Sequence, residues 1–124
     1  MHNLLILDGA MGTMLQDAGM KAGEHPEVFG FDNPDIVKNI HLKYIEAGSN
    51  IIYANTFGAN AHKLEGCKID VDTAIKNAIQ SAKEAVAESK RDVKVALDIG
   101  PIGELLEPLG VLRFEDAYDI YKEM

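Results

Sequence analysis

Three polar residues stand where short apolar runs stop. Asp8 follows Leu4-Leu5-Ile6-Leu7 and precedes Gly9-Ala10-Met11-Gly12-Thr13. Asn55 follows Ile51-Ile52-Tyr53-Ala54 and precedes Thr56-Phe57-Gly58, and Asp98 follows Val95-Ala96-Leu97 and precedes Ile99-Gly100-Pro101-Ile102-Gly103. Polar groups at the carboxyl ends of parallel strands sit where α/β folds build their sites. Two carboxylates and an amide at one rim favour a ligand with a cationic or hydrogen-donating group. Positive charge is scarce nearby: residues 8–20 and 98–112 contain no Lys or Arg, and Lys63 is the first after Asn55. A phosphate would more often meet Lys or Arg. Backbone N–H groups around Gly9, Ala10 and Gly12 can still form a small anion nest. An ammonium for Asp8 and a carboxylate for the turn together describe an amino acid.

Each feature also has a plainer reading. An Asp after a strand often only caps the next turn, and Asn55-Thr56 serves equally well as a turn-forming pair. Gly9 and Gly12 do not fit G-x-G-x-x-G, which disfavours a dinucleotide site. His2, His25, His41 and His62 are scattered, and none has a partner at metal-ligand spacing, so no catalytic role is expected of them. Cys67, in a polar loop, reads as a bystander, because one thiol without a nearby Cys or His is a poor zinc site. Glu104 and Glu107 read as solvated loop acids, and the methionines as core filler.

The elements that must position the three polar tips follow from local pattern. Continuous apolar runs suit strands buried on both faces, starting here near residues 4, 51 and 94. Residues 13–19 make a short helix, and residues 21–32 read as a surface loop. The next helix starts with Asn33 as cap and Pro34 at the first position, and Gly48 ends it. Its apolar stripe is Ile36, Val37, Ile40, Tyr44 and Ala47. Residues 60–64 form one helical turn and 65–70 a loop. Residues 71–89 form a long helix with Ile75, Ile79, Ala82 and Val86 on one face. The stretch 101–110 is irregular. A last helix begins at Phe114, with Ala117, Tyr118 and Tyr121 on a shared face.

This β-α-β-α-β-α order predicts parallel strands with helical crossovers. Three strands do not complete such a fold, and eight units at this spacing need on the order of 300 residues. The expectation is an α/β fold, the first three βα units of a (β/α)8 TIM barrel, present as an incomplete amino-terminal part over residues 1–124. A fragment, or a piece completed by another chain, would meet it.

Composition sets outer bounds. The 124 residues are 47% hydrophobic and 26% charged, as in ordinary globular protein, with room for one domain. Twenty acidic against 12 basic residues give a net charge of −8, which argues against nucleic acid or anionic membrane as partner. Cys67 is the single cysteine, so no intrachain disulfide forms. No basic-then-apolar leader is present and no apolar run is long enough for a bilayer, so a cytoplasmic setting is expected.

The motifs taken together resemble a known family. Leu7-Asp8-Gly9-Ala10-Met11-Gly12-Thr13, then Tyr44-Ile45-Glu46-Ala47-Gly48-Ser49-Asn50-Ile51-Ile52 leading into Asn55-Thr56-Phe57-Gly58-Ala59, then Asp98-Ile99-Gly100-Pro101-Ile102-Gly103-Glu104, resemble the homocysteine S-methyltransferases. Within that family the likeness is to the amino-terminal homocysteine domain of the cobalamin-dependent methionine synthases. The resemblance implies a (β/α)8 barrel and a zinc ion held by three cysteines from later strands. That zinc would keep the homocysteine sulfur as a thiolate for attack on a methyl group. It further implies a cobalamin domain as donor and a folate domain that recharges it. By resemblance Asp8 faces the homocysteine ammonium and the Gly9 and Ala10 N–H groups its carboxylate. Asn55, Thr56 and Asp98 would shape the pocket. The zinc cysteines are missing from this sequence, so the chain alone is expected to be inactive. Two other readings stand beside it. One is a non-catalytic α/β binding or assembly piece completed by another chain; the other is a different barrel enzyme using the strand-end acids as bases.

Overall fold

The computed structural model of the chain describes residues 4–124. His2 lies outside them. The core of the architecture is two short parallel strands, β1 (Ile51–Tyr53) and β2 (Lys94–Ala96), in the register Ile51↔Lys94, Ile52↔Val95 and Tyr53↔Ala96. On the other side of β1 lies the segment ending in Asp8. Leu7 bridges Ile51 in parallel, Asn50 N–H donates to the Ile6 carbonyl at 2.7 Å, and Asp8 N–H donates to the Ile51 carbonyl at 3.1 Å. The lateral order therefore follows the chain order, with β1 in the middle.

The first segment departs from expectation. Residues 4–7 form one bridge residue rather than a full strand. Leu4, Leu5, Ile6 and Leu7 are all exposed, the first at 79%. Among the described residues this segment has a neighbour on one side only, and half of an Ile6–Asn50 pairing is made by the Asn50 side chain, whose Oδ1 accepts from Ile6 N–H at 2.9 Å. A strand without a second neighbour or a covered face has little to hold its dihedrals.

The crossovers are helical. α3 (Pro34–Ala47) leads into β1, and α4 (Val71–Ser89) leads from β1 toward β2. The two helices pack on one another, so both cover the same face of the strands. Ile52 points into that face and is fully buried in a cluster with Ile45, Ala82, Ala85 and Val93. Its strand neighbours Ile51 and Tyr53 are only half-buried on the opposite face. Two-sided burial, the expectation from the apolar runs, is thus met on the helix side alone.

Local chemistry explains where the helices stop and start. Pro34 opens α3, and Gly48, at φ 111°, closes it in the left-handed conformation. Asn33 does not cap with its side chain as expected; its Nδ2 instead donates to the Phe29 carbonyl at the end of the preceding helix. Asp70 caps α4 through Thr73 N–H at 2.8 Å. The α3 stripe is turned slightly from expectation: Val37, Ile40, His41 and Ile45 are buried, and Ala47 is exposed. On α4 the buried line runs through Ala74, Ala78, Ala82 and Ala85, with Ile75, Ile79 and Val86 at its margin. Small residues let α4 approach α3 closely, and the larger apolar chains flank the contact.

Two shorter helices complete the front. α1 (Gly12–Asp17) buries Leu15 against Met20, Val37 and Ile40. α2 (Pro26–Asp32) replaces the surface loop expected for residues 21–32. It starts at a proline and contains Gly30, so propensity hid it, and its packing against α3 and α4 sustains it. Cys67 is partly buried and packs on the cluster of Ala59, Leu64, Ile69, Val71 and Ala74. α5 (Phe114–Glu123) buries Ala117 but leaves Phe114 and Tyr118 exposed. No helix among the described residues is long and apolar enough to cross a membrane.

Candidate functional site

Asp8, Asn55 and Asp98 come together at the carboxyl ends of three adjacent parallel segments. They share a cavity of about 390 Å³ whose walls include Gly9–Gly12, Pro26, Tyr53 and Phe57. A larger depression of about 570 Å³ lies elsewhere, near Cys67 and Asp70, but its cation Lys68 is already paired with Asp32.

Asp8 is fixed by the neighbouring strand. Its Oδ2 accepts from Tyr53 N–H at 3.1 Å, while Oδ1 is buried with no partner among the described residues. Burial pushes its pKa up; the Tyr53 amide pulls the other way, and the Asp98 carboxylate adds to the rise. Burial raises Asp98 as well. The cavity therefore holds two carboxylates that favour company from a cation, with no Lys or Arg on its walls.

Asn55 and Thr56 have their side chains engaged within the protein. Asn55 is buried, and its Nδ2 donates to the Pro26 carbonyl at 2.8 Å, tying the start of α2 to the end of β1. Thr56 Oγ1 donates to the Asp98 carbonyl at 2.8 Å and accepts from Asp98 N–H at 2.9 Å. This reciprocal pair locks the ends of β1 and β2 together. Both residues meet the cavity as braced wall.

Sequence reasoning missed the groups behind that wall. Glu27, on α2, is buried, and its Oε1 accepts from Gly58 N–H at 2.6 Å. Gly100 N–H donates to the Phe57 carbonyl at 3.2 Å, and a Cβ at Gly100 would fall 2.5 Å from that oxygen, so only glycine permits the two loops to cross there. Tyr44, which sequence reasoning placed on an apolar stripe and in a family motif without a role at the site, donates from its hydroxyl to the Ala10 carbonyl at 2.7 Å. The one available signal was the acid directly after Pro26, in the first turn of a helix that the sequence disguised.

The remaining candidates stay outside the cavity. His41 is fully buried on α3 with neither ring nitrogen partnered among the described residues. Glu104 lies 3.7 Å from His62. Among the described residues no three His, Cys, Asp or Glu side chains gather closely enough to hold a metal ion.

Comparison with known proteins decides the family. The model of the family described as homocysteine S-methyltransferase matches residues 5–124. This chain belongs to that family. Among curated relatives, the methionine synthase of Mycobacterium tuberculosis is 29% identical over 98% of this chain and 11% of its own length. That of Mycobacterium leprae is 37% identical over 51% of this chain and 6% of its own. The solved structure of the homocysteine methyltransferase MmuM from Escherichia coli, in its metallated form, superposes with a TM-score of 0.70 at 25% identity. It is covered to 39%, against 82% of this chain. The oxidised form gives 0.69 over 81%. The fold is thus an α/β fold similar to that of a homocysteine methyltransferase, and the chain spans about a tenth or less of the curated relatives' length.

Proposed function

We propose that residues 1–124 are the first three βα units of a homocysteine-binding (β/α)8 barrel, an incomplete amino-terminal part of a methyltransferase of the methionine synthase type. The complete protein methylates homocysteine to methionine, and these residues hold and orient the amino-acid end of the substrate. The observation that carries this is Asp8: one carboxylate oxygen fixed by Tyr53 N–H, the other desolvated and without a partner among the described residues, on a cavity wall beside the Gly9–Gly12 turn. Such an oxygen suits an ammonium, and the turn's N–H groups suit the neighbouring carboxylate. Asp98 adds negative field, while Asn55 and Thr56 keep the wall in place.

Zinc, which the family implies, does not fit this chain. The described residues offer no ligand trio, and Cys67 is packed on a separate apolar cluster. Its ligands are assigned to later parts of the barrel, and cobalamin and folate to further domains of a cytoplasmic enzyme. No chemical step falls to residues 1–124 beyond binding and orientation. The purified 124-residue chain, given zinc, homocysteine and methylcobalamin, is expected to yield no methionine above the uncatalysed background. Turnover by this chain alone would contradict the assignment.

A second reading draws on the exposed apolar edges. Leu4–Leu7 on one side and Leu106, Phe114 and Tyr118 on the other suit a piece that another chain completes, as a non-catalytic binding or assembly unit. Complete barrel units encoded after residue 124 favour the enzyme; a natural end there with a stable oligomer favours assembly.

A further inference from the structure

Tyr44 sits on α3, one helix away from the strand ends, yet its hydroxyl reaches the Ala10 carbonyl at 2.7 Å. Its ring packs along Gly9: a Cβ at that position would lie 3.0 Å from the hydroxyl and 3.1 Å from Cε1. The phenol therefore touches the turn twice, once as a donor and once as a surface. A peptide carbonyl held from behind fixes the plane of its peptide unit, and hence the direction of the following N–H. The 10–11 peptide and its neighbour at 9–10 both line the cavity beside Asp8. Burial, and secondarily the Asp8 carboxylate, raise the Tyr44 pKa, which keeps the hydroxyl protonated as a donor.

We propose that Tyr44 is a positioning residue for the substrate carboxylate: by clamping the Ala10 carbonyl it sets the direction of the Met11 N–H, the donor of the same peptide, in the turn that lines the cavity. This rests on the reading of that turn as the carboxylate seat and adds the residue that sets its geometry. An alternative role, anchoring α3 to the first segment, would affect every ligand equally. The clamp affects only ligands that bear the carboxylate.

The test uses the complete protein and two probes, L-homocysteine and its decarboxylated analogue 3-aminopropane-1-thiol, each titrated calorimetrically. The parent is expected to bind homocysteine at least about tenfold more tightly than the amine. Tyr44→Phe keeps the ring and removes the donor; it is expected to reduce that preference to about threefold or less, with amine affinity unchanged. Gly9→Ala gives a second route. Gly9 is outside the left-handed region, so alanine is compatible with the backbone and displaces the phenol instead. It is expected to erode the same preference. A preference left intact in Tyr44→Phe, or equal losses for both probes, would overturn the clamp alone. A parent that does not distinguish the probes would overturn the carboxylate seat and the clamp with it.

Discussion

His41 carries two ring nitrogens in a fully buried position without a partner among the described residues, and burial lowers its pKa to about 4. The ordinary value is 6.5. Above pH 6.5 the ring is neutral whether folded or not. Below it the unfolded chain takes up a proton that the folded chain refuses until about pH 4. Stability from this residue is therefore lost as pH falls from 6.5 toward 4, by at most about 3 kcal/mol. Asp8 and Asp98 run the opposite way, since raised carboxyl pKa values weaken the fold as pH rises through them. Urea titrations at pH 7 and pH 4.5 separate the two. His41→Leu is expected to lose less stability than the parent over that interval; an equal loss would mean that His41 is not the source. At this scale the sequence displayed Asp8, Asn55 and Asp98, because an abrupt polar residue after an apolar run is visible. It did not display Glu27 or Tyr44, whose importance comes from contacts 31 and 34 residues away in the chain.

Elements were readable where one pattern dominated. α3, α4 and β1 have clear caps or unbroken apolar runs, and they appear within a residue or two of expectation. α2 was hidden because two glycines or prolines in seven residues lower its local helix propensity, and the tertiary contacts that override this are not visible in the sequence. The first strand was over-read, because its apolar character is real but a neighbour on one side only does not make a ladder. β1 is the element on which the rest depends. It holds the first segment on one edge and β2 on the other, and Ile52 is its anchor in the helix-facing cluster. Ile52→Ala is expected to destabilise the fold by about 2–5 kcal/mol, read from the denaturant midpoint. A shift below about 1 kcal/mol would mean that the cluster collapses to fill the space and that β1 is not the anchor.

Across the whole molecule, polar and apolar surfaces are sorted by direction. The helix-covered face is closed. The opposite strand face is half-open, and exposed Leu and Phe side chains line both lateral ends, from Leu4–Leu7 to Leu105, Leu109, Val111 and Phe114. Full burial of such a side chain is worth about 1.5–3 kcal/mol, so these exposed side chains favour contact with a further apolar surface. The barrel reading places that surface in the units that would follow β2 and return beside residues 4–7. The most direct test is calorimetric titration of L-homocysteine into the complete protein and into its Asp8→Asn variant. Asparagine keeps an acceptor for Tyr53 N–H and removes only the charge. Saturable one-to-one binding in the parent, weakened at least about tenfold in the variant, is expected. Equal affinity in the two proteins would contradict the assignment of Asp8 as the seat of the substrate ammonium.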